Sequence, residues 1–394
     1  MDGTRVASVE TFIVTLPRDT PYLGPLAEGE RVNSRGYVVR RGNRTIYPTV
    51  DRSVLLKVTA ADGTVGWGET YGIVAPDAVT AIVDDVLGPL VLGRDARDAE
   101  AIHAEHYDLM RVRGGSGGLW GDAMAALDIA LWDLHGRAVG QPVAQLLGGA
   151  RRERIAAYAS GLPGATLDER VALAQGLVAR GFDAVKFAAV VSHEGIVEEM
   201  RALREALRPA ARIAIDLHWK FEAAEALALI EHLLPWRPLF VEAPCAPEDL
   251  EGQAEVAAAS PVPVALGEEW HNVHEARPRF ARRAMAIVQP EVAHTGLTAM
   301  LQIARLAHAQ GVQVMPHATV GLGIFLAASL HAAASLPELP LHEYQHSVFD
   351  RNLAHVRTTM RCTQGAYTLP EGPGLGVEPA ESLWAYARRI GVSA

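Results

Sequence analysis

Hydrophobic and polar positions follow two different rhythms along this chain. Residues 5–16 alternate, with Val6, Val9, Phe12 and Val14 on the apolar beat, and predict a first strand. Residues 17–50 lose that beat and are rich in Gly, Pro, Arg and Asn, so a lid or binding loop is expected there. Two further strands are predicted at 53–59 and 66–69, joined by an Asp62-Gly63 turn. Residues 76–111 carry a helical pattern. The first part of the chain therefore reads as α+β, a small antiparallel sheet followed by helices.

From about residue 155 the rhythm changes to short apolar runs separated by amphipathic helices. Strands are predicted to start near Ile155, Ala184, Ile213, Leu239, Val262, Ala286 and Val312, with a shorter one near Leu341. The intervening helices include 167–180, 194–207, 222–234 and 297–310. Alternation at this period predicts parallel βα units. Seven or eight such units favour a barrel over an open sheet. The tail passes through a turn-rich stretch at 370–377 to a short helix expected near 380–390.

Three acids stand at the tips of successive apolar runs. Asp216, Glu242 and Glu268 recur at intervals of 26 residues. A strand, a helix and two loops take about 30 residues. The three carboxylates should thus lie on consecutive parallel strands, all at the C-terminal end. One strand-end acid alone could equally be a helix cap. Three in register describe a site for a hard divalent cation, and one Mg²⁺ is the expected cofactor. His218 lies two residues beyond Asp216 and, by the period of a strand, should face the same cavity. An acid–base role fits it there. His317 and Glu291 fall at the ends of neighbouring predicted strands, where the carboxylate would fix the imidazole's tautomer and raise its basicity. Lys186 ends the second barrel strand and, like His271, is a candidate for binding the substrate. Glu343 would end the eighth and could bind a substrate oxygen. Arg44, Tyr47, Trp219 and Trp270 are candidates for lining the substrate cavity, and the lid would close over it. His271 and His294 lie just past strand ends and are kept as outlying candidates.

Composition narrows the function classes. A net charge of −10 gives nucleic-acid binding no electrostatic support. Two cysteines, Cys245 and Cys362, suggest reduced thiols rather than a disulfide framework. The N-terminus resembles no signal peptide and no apolar run is long enough to span a bilayer, so a cytoplasmic protein is expected. The glycines at 114–118 follow no predicted strand and read as a turn, not a phosphate cradle. The expected partner is a small-molecule substrate, with no nucleic acid and no membrane, and a homo-oligomer is the common arrangement.

Two long motifs then resemble a known family. The first runs Ala123-Met124-Ala125-Ala126-Leu127-Asp128-Ile129-Ala130-Leu131-Trp132-Asp133-Leu134 and on to Leu146-Leu147-Gly148. The second runs from Asp216-Leu217-His218 to Val241-Glu242-Ala243-Pro244. Both resemble the mandelate racemase and muconate lactonizing enzyme branch of the enolase superfamily. The Asp-x-His pattern, with residues 316–321 and Leu341-His342-Glu343, is most similar to galactonate dehydratase and related acid-sugar dehydratases. The resemblance implies an α/β fold: a modified TIM barrel, (β/α)7β, under an α+β capping domain built from both chain ends. The implied bounds are 1–125 for the cap, 126–354 for the barrel and 355–394 for the returning segment. It further implies Asp216, Glu242 and Glu268 as Mg²⁺ ligands and His317 as the base, with Glu291 as its partner where the family has Asp. Glu343 matches the acid that contacts the substrate carboxylate, and His218 the acid for the departing hydroxyl. Ala243 departs from the family's usual acid or amide beside a ligand. Ala188 stands where family racemases carry the second lysine of a Lys-x-Lys pair, which argues against a two-base racemase using that lysine. The implied reaction is dehydration of an aldonate or aldarate to a 2-keto-3-deoxy acid, through α-proton abstraction, a metal-stabilised enediolate and acid-assisted loss of the 3-OH. An epimerase, racemase or lactone cycloisomerase is the alternative.

Overall fold

The computed structural model describes residues 2–318 and 321–394. Its N-terminal part is a four-stranded antiparallel sheet. The strand order is Ala387–Ser393, Val6–Leu16, Asp51–Ala60, Val65–Tyr71. The edge formed by Ala387–Ser393 corrects the helix expected near 380–390. A 3-10 turn at Glu381–Tyr386 leads into a strand instead. Ile390 and Val392 favour extended backbone, and the first strand offers an unpaired edge that Ser393 joins opposite Val9. The predicted helical stretch at 76–111 is divided, with Pro76–Ile82 and Ala99–Met110 as its main α-helical pieces. Within 17–50 the regular structure is one short hairpin, Tyr37–Val39 against Ile46–Pro48.

The second part is the (β/α)7β barrel. Eight parallel strands are present among the described residues: Arg154–Ser160, Ala184–Ala188, Arg212–Asp216, Val241–Glu242, Val264–Leu266, Ile287–Val288, Gln313–Val314 and His342–Gln345. The first seven pair in sequence, and the eighth pairs back onto the first. The Glu343 N–H donates to the Pro316 carbonyl at 3.1 Å, which joins the eighth strand to the end of the seventh. The interior is a packed layer, not a pore. Tyr158, Ala184, Ala214, Phe240, Ala265, Ile287, Met315 and Leu341, one from each strand or its flank, form one buried cluster.

A long buried helix, Gly118–Val139, joins the sheet to the barrel. Strand Val65–Tyr71 lies directly on it because Gly66 and Gly68 carry no side chain. A Cβ at Gly68 would overlap the Ala126 carbonyl. Glu69 of the same strand crosses to the barrel. Its buried carboxylate accepts the N–H groups of Leu322 (2.5 Å), Ile324 (2.9 Å) and Phe325 (3.2 Å), at the start of helix Ile324–Ser335. Helix N-termini leave such donors without partners, and a carboxylate there is favoured. The described residues contain no helix long and apolar enough to cross a membrane.

Gly68→Ala should therefore lower stability by about 1–3 kcal/mol through overpacking. A urea titration reads this as a lower midpoint. An unchanged midpoint would mean the strand and helix are not in such close contact.

Candidate active site

The acids gather at the C-terminal rim of the barrel because the strands are parallel and in register. Asp216 pairs with Glu242 across the third and fourth strands, and Glu242 pairs with Ala265 of the fifth. Glu268 follows after a turn at Gly267, whose φ is 115°. That conformation, and the contact of 3.0 Å that a Cβ would make with the Trp270 ring, require glycine there. The donor atoms of Glu242, Glu268 and His317 lie within 4.8 Å of one another.

Each carboxylate of the trio has a cationic or imidazole partner. Lys186 Nζ donates to both oxygens of Glu242, at 2.9 and 2.8 Å, and lies 3.1 Å from Glu343 Oε1. Asp216 Oδ1 accepts the His218 N–H at 2.8 Å, and its Oδ2 is 2.9 Å from His218 Nδ1. The latter is an ion-pair contact and not an aligned hydrogen bond. Glu268 Oε2 lies 2.9 Å from His317 Nε2.

His218 reaches the cavity by a route that strand periodicity does not describe. The third strand ends at Asp216. His218 and Trp219 then adopt left-handed φ values of 51° and 54°, which break the pleat while the chain stays bonded to the segment after the fourth strand through Trp219 N–H to the Ala243 carbonyl at 2.7 Å. His317 forms an isolated parallel bridge with Glu291. Its Nδ1 is 2.9 Å from Glu291 Oε2. The Tyr71 hydroxyl donates to the same oxygen at 2.9 Å, and the Ala293 N–H donates to Oε1 at 3.0 Å. The longer glutamate is thus seated at both oxygens as it caps helix Val292–Gln310.

Burial dominates the electrostatics. It pushes the Glu242 carboxyl up well above its usual range. Lys186 opposes this, while Asp216, Glu268 and Glu343 add like charge. Burial disfavours the charged form of Lys186, but Glu242 and Glu343 hold the ammonium well above its ordinary value. Lys186, in contact with two acids, keeps its proton. Burial would lower His317 too, but Glu268 and Glu343, helped by hydrogen bonding to Glu268 and Glu291, hold it well above 6.5. His218 is raised in the same way by Asp216 against burial. This excess of buried carboxylates suits a divalent cation: oxygen donors of the right hardness, close together, repelling one another.

Most of these groups line a cavity of about 210 Å³, with Glu242 and Glu291 behind its wall. Tyr22, Leu23, Thr45 and Tyr47 close it from the segment at 17–50. Lys186, Asp216, His218, Trp219, Glu268, His317 and Glu343 are on its wall or floor. Three expected cavity residues are elsewhere. Arg44 sits exposed on the hairpin turn with a φ of 59°, while its neighbour Thr45 takes the inward position. Trp270 is buried, its Nε1 bonded to Glu269 at 3.0 Å, because the turn at Gly267 directs it under the rim. His271 is drawn away toward Asp122, at 3.3 Å. Thr319 and Val320 of the 316–321 motif lie outside the described residues. Other site groups carry no motif. Gln289 donates to Glu242 at 2.8 Å, and the Tyr158 hydroxyl donates to Glu343 at 3.2 Å. The signal that could reveal Gln289 is its place two residues before Glu291, on the same side of a strand end. Tyr71 comes from the other sheet and gives no such signal.

Two family models cover most of the chain. The mandelate racemase / muconate lactonizing enzyme N-terminal domain matches residues 44–148. The enolase C-terminal domain-like model matches residues 169–383. The chain belongs to the mandelate racemase and muconate lactonizing enzyme branch of the enolase superfamily. A D-galactarolactone cycloisomerase from Agrobacterium fabrum is 34% identical over 82% of this chain and 88% of its own length. A D-galactonate dehydratase from Pectobacterium atrosepticum is 32% identical over 86% and 92%. The crystal structure of a protein from Sinorhizobium meliloti described as a putative isomerase superposes with a TM-score of 0.97. It is 52% identical and covers 98% of this chain and 100% of that one. Membership of the superfamily makes the chain an enzyme of lyase or isomerase type.

In the metal-free protein, His317 should titrate well above pH 6.5 by NMR of its imidazole, because carboxylates flank both nitrogens. Glu291→Gln should lower that value. No change would show that the dyad does not set the basicity of His317.

Proposed function

We propose that the protein is a Mg²⁺-dependent sugar-acid dehydratase, converting an aldonate or aldarate to a 2-keto-3-deoxy acid. Asp216, Glu242 and Glu268 would hold the cation. Bound there, Mg²⁺ would act as a Lewis acid toward the charge that develops at the substrate carboxylate and would relieve the field that holds His317 protonated. The α-proton of a carboxylate is far too weakly acidic for an imidazole without such help. Enolase-superfamily sites in general pair a His or Lys base with Mg²⁺, so this part of the reading comes with family membership rather than from the geometry of this chain.

The remaining chemistry belongs to the side chains. Glu291 holds His317 through Nδ1, and Nε2, set against Glu268 at 2.9 Å in the structure, is the nitrogen that would accept the proton from C2. His218, kept charged by Asp216, gives a proton to the hydroxyl on C3. The C3–O bond breaks, water leaves and the enol across C2 and C3 becomes the 2-keto acid. Lys186 and Glu343, which line the cavity, would orient the substrate carboxylate. The lid residues Tyr22 and Tyr47 exclude water from the cavity.

The observation that carries dehydration is His218 in the cavity against Asp216. Hydroxide is a poor leaving group, since the pKa of water is about 15.7, and it departs only with a proton supplied. A lactone opening by elimination expels a carboxylate, which needs no such acid. The 34% identity to a D-galactarolactone cycloisomerase keeps that second reading in play.

Sugar acids incubated with enzyme and Mg²⁺ should give a semicarbazide-reactive product lighter by one water. A product of unchanged mass selects the cycloisomerase or epimerase reading instead. His218→Asn should reduce dehydration by about 10²–10⁴-fold while C2 proton exchange in D₂O persists. Full dehydration by that variant removes the role given to His218. Glu268→Gln should abolish turnover at ordinary Mg²⁺ concentrations, and an undiminished rate would exclude it as a ligand.

A further inference from the structure

A second cluster lies beside the cavity and takes no part in the chemistry above. Asp122 projects from the joining helix Gly118–Val139. His271 comes from the segment after the fifth barrel strand, and His294 from the first turn of helix Val292–Gln310. His294 Nδ1 is 2.6 Å from Asp122 Oδ1, and His271 Nε2 is 3.3 Å from that same oxygen. One donor atom from each of the three falls within 4.8 Å of the others. Three separate elements thus bring two imidazole nitrogens and one carboxylate oxygen to a point.

We propose that Asp122, His271 and His294 form a second metal site, suited to Zn²⁺ and similar ions rather than to Mg²⁺. Imidazole nitrogens suit zinc, cobalt and nickel, whereas an all-oxygen set suits magnesium. Three protein ligands with an open position are a common zinc arrangement. The surroundings are built for it. Glu275 Oε2 accepts the backbone N–H of His271 at 2.8 Å and lies 3.6 Å from the ring Nδ1. A carboxylate behind a ligating imidazole fixes its orientation and tautomer. Asn272 Nδ2 donates to the Ser116 carbonyl at 2.5 Å, tying the His271 segment to the residues before the joining helix. Gly117 and Gly121 leave the space that Glu275 and His271 occupy, since a Cβ at either glycine would overlap them. His294 also lines the catalytic cavity, which gives an ion a way in. The bound ion would clamp the joining helix to the barrel rim.

The test uses the full-length protein stripped with EDTA and then saturated with Mg²⁺, so that the oxygen site is filled. Co²⁺ is the probe. Wild-type protein should bind one Co²⁺ per chain with an intense visible absorption, characteristic of imidazole in a low-coordinate site. His271→Gln and His294→Gln should abolish the band, and Glu275→Gln should weaken binding by about 10–100-fold. Glu268→Gln should leave the band intact, which separates this site from the carboxylate trio. Absence of Co²⁺ binding in wild-type protein overturns the proposal without any variant having to fold. So does a band that survives in both histidine variants, or one lost with Glu268→Gln alone. The outcome does not depend on which sugar acid is turned over.

Discussion

Buried negative charge governs the architecture of the rim. Asp216, Glu242, Glu291 and Glu343 are buried and Glu268 is partly buried, within or beside one small cavity, so water screens them weakly. Lys186, His218 and His317 are each set against one or more of these acids. Backbone and neutral donors supply the rest: the Ala293 N–H, Gln289, Tyr71 and Tyr158. The arrangement has strong electrostatic tension, and that tension would be the source of the proposed cation affinity as it is of the perturbed proton affinity. One constraint therefore connects the proposed ion site with the proposed acid and base.

Much of this is legible in the sequence because parallel βα units have a nearly constant length. An interval of 26 residues between acids places them on neighbouring strands at the same end, and the register of Asp216 with Glu242 follows from that regularity. Glu291 and His317 emerge by the same reasoning, at neighbouring strand ends. The barrel and the capping sheet are legible from the change of hydrophobic rhythm near residue 155.

What the sequence hides are departures from regular backbone and contacts between distant segments. Strand period points His218 at the cavity for a reason that does not operate, since left-handed residues and not a pleat carry it there. Arg44 and Trp270 are turned from their expected places by local bends, at the hairpin and at Gly267, whose direction no periodicity encodes. The last strand has a helical look in sequence because its partner lies at the other end of the chain, opposite Val9. Tyr71 and Asp122 escape notice for the same reason: each reaches the barrel from an element with its own packing to satisfy.

Glu69 carries a consequence for how such proteins can be recombined. Its carboxylate, grown on the small sheet, completes the hydrogen bonding of Leu322, Ile324 and Phe325 in the other lobe. A chimera that exchanged one lobe for a relative's would leave those amides, or that acid, stranded unless both sides of the joint travelled together. The modules are separable on paper, yet their seam is a unit of inheritance.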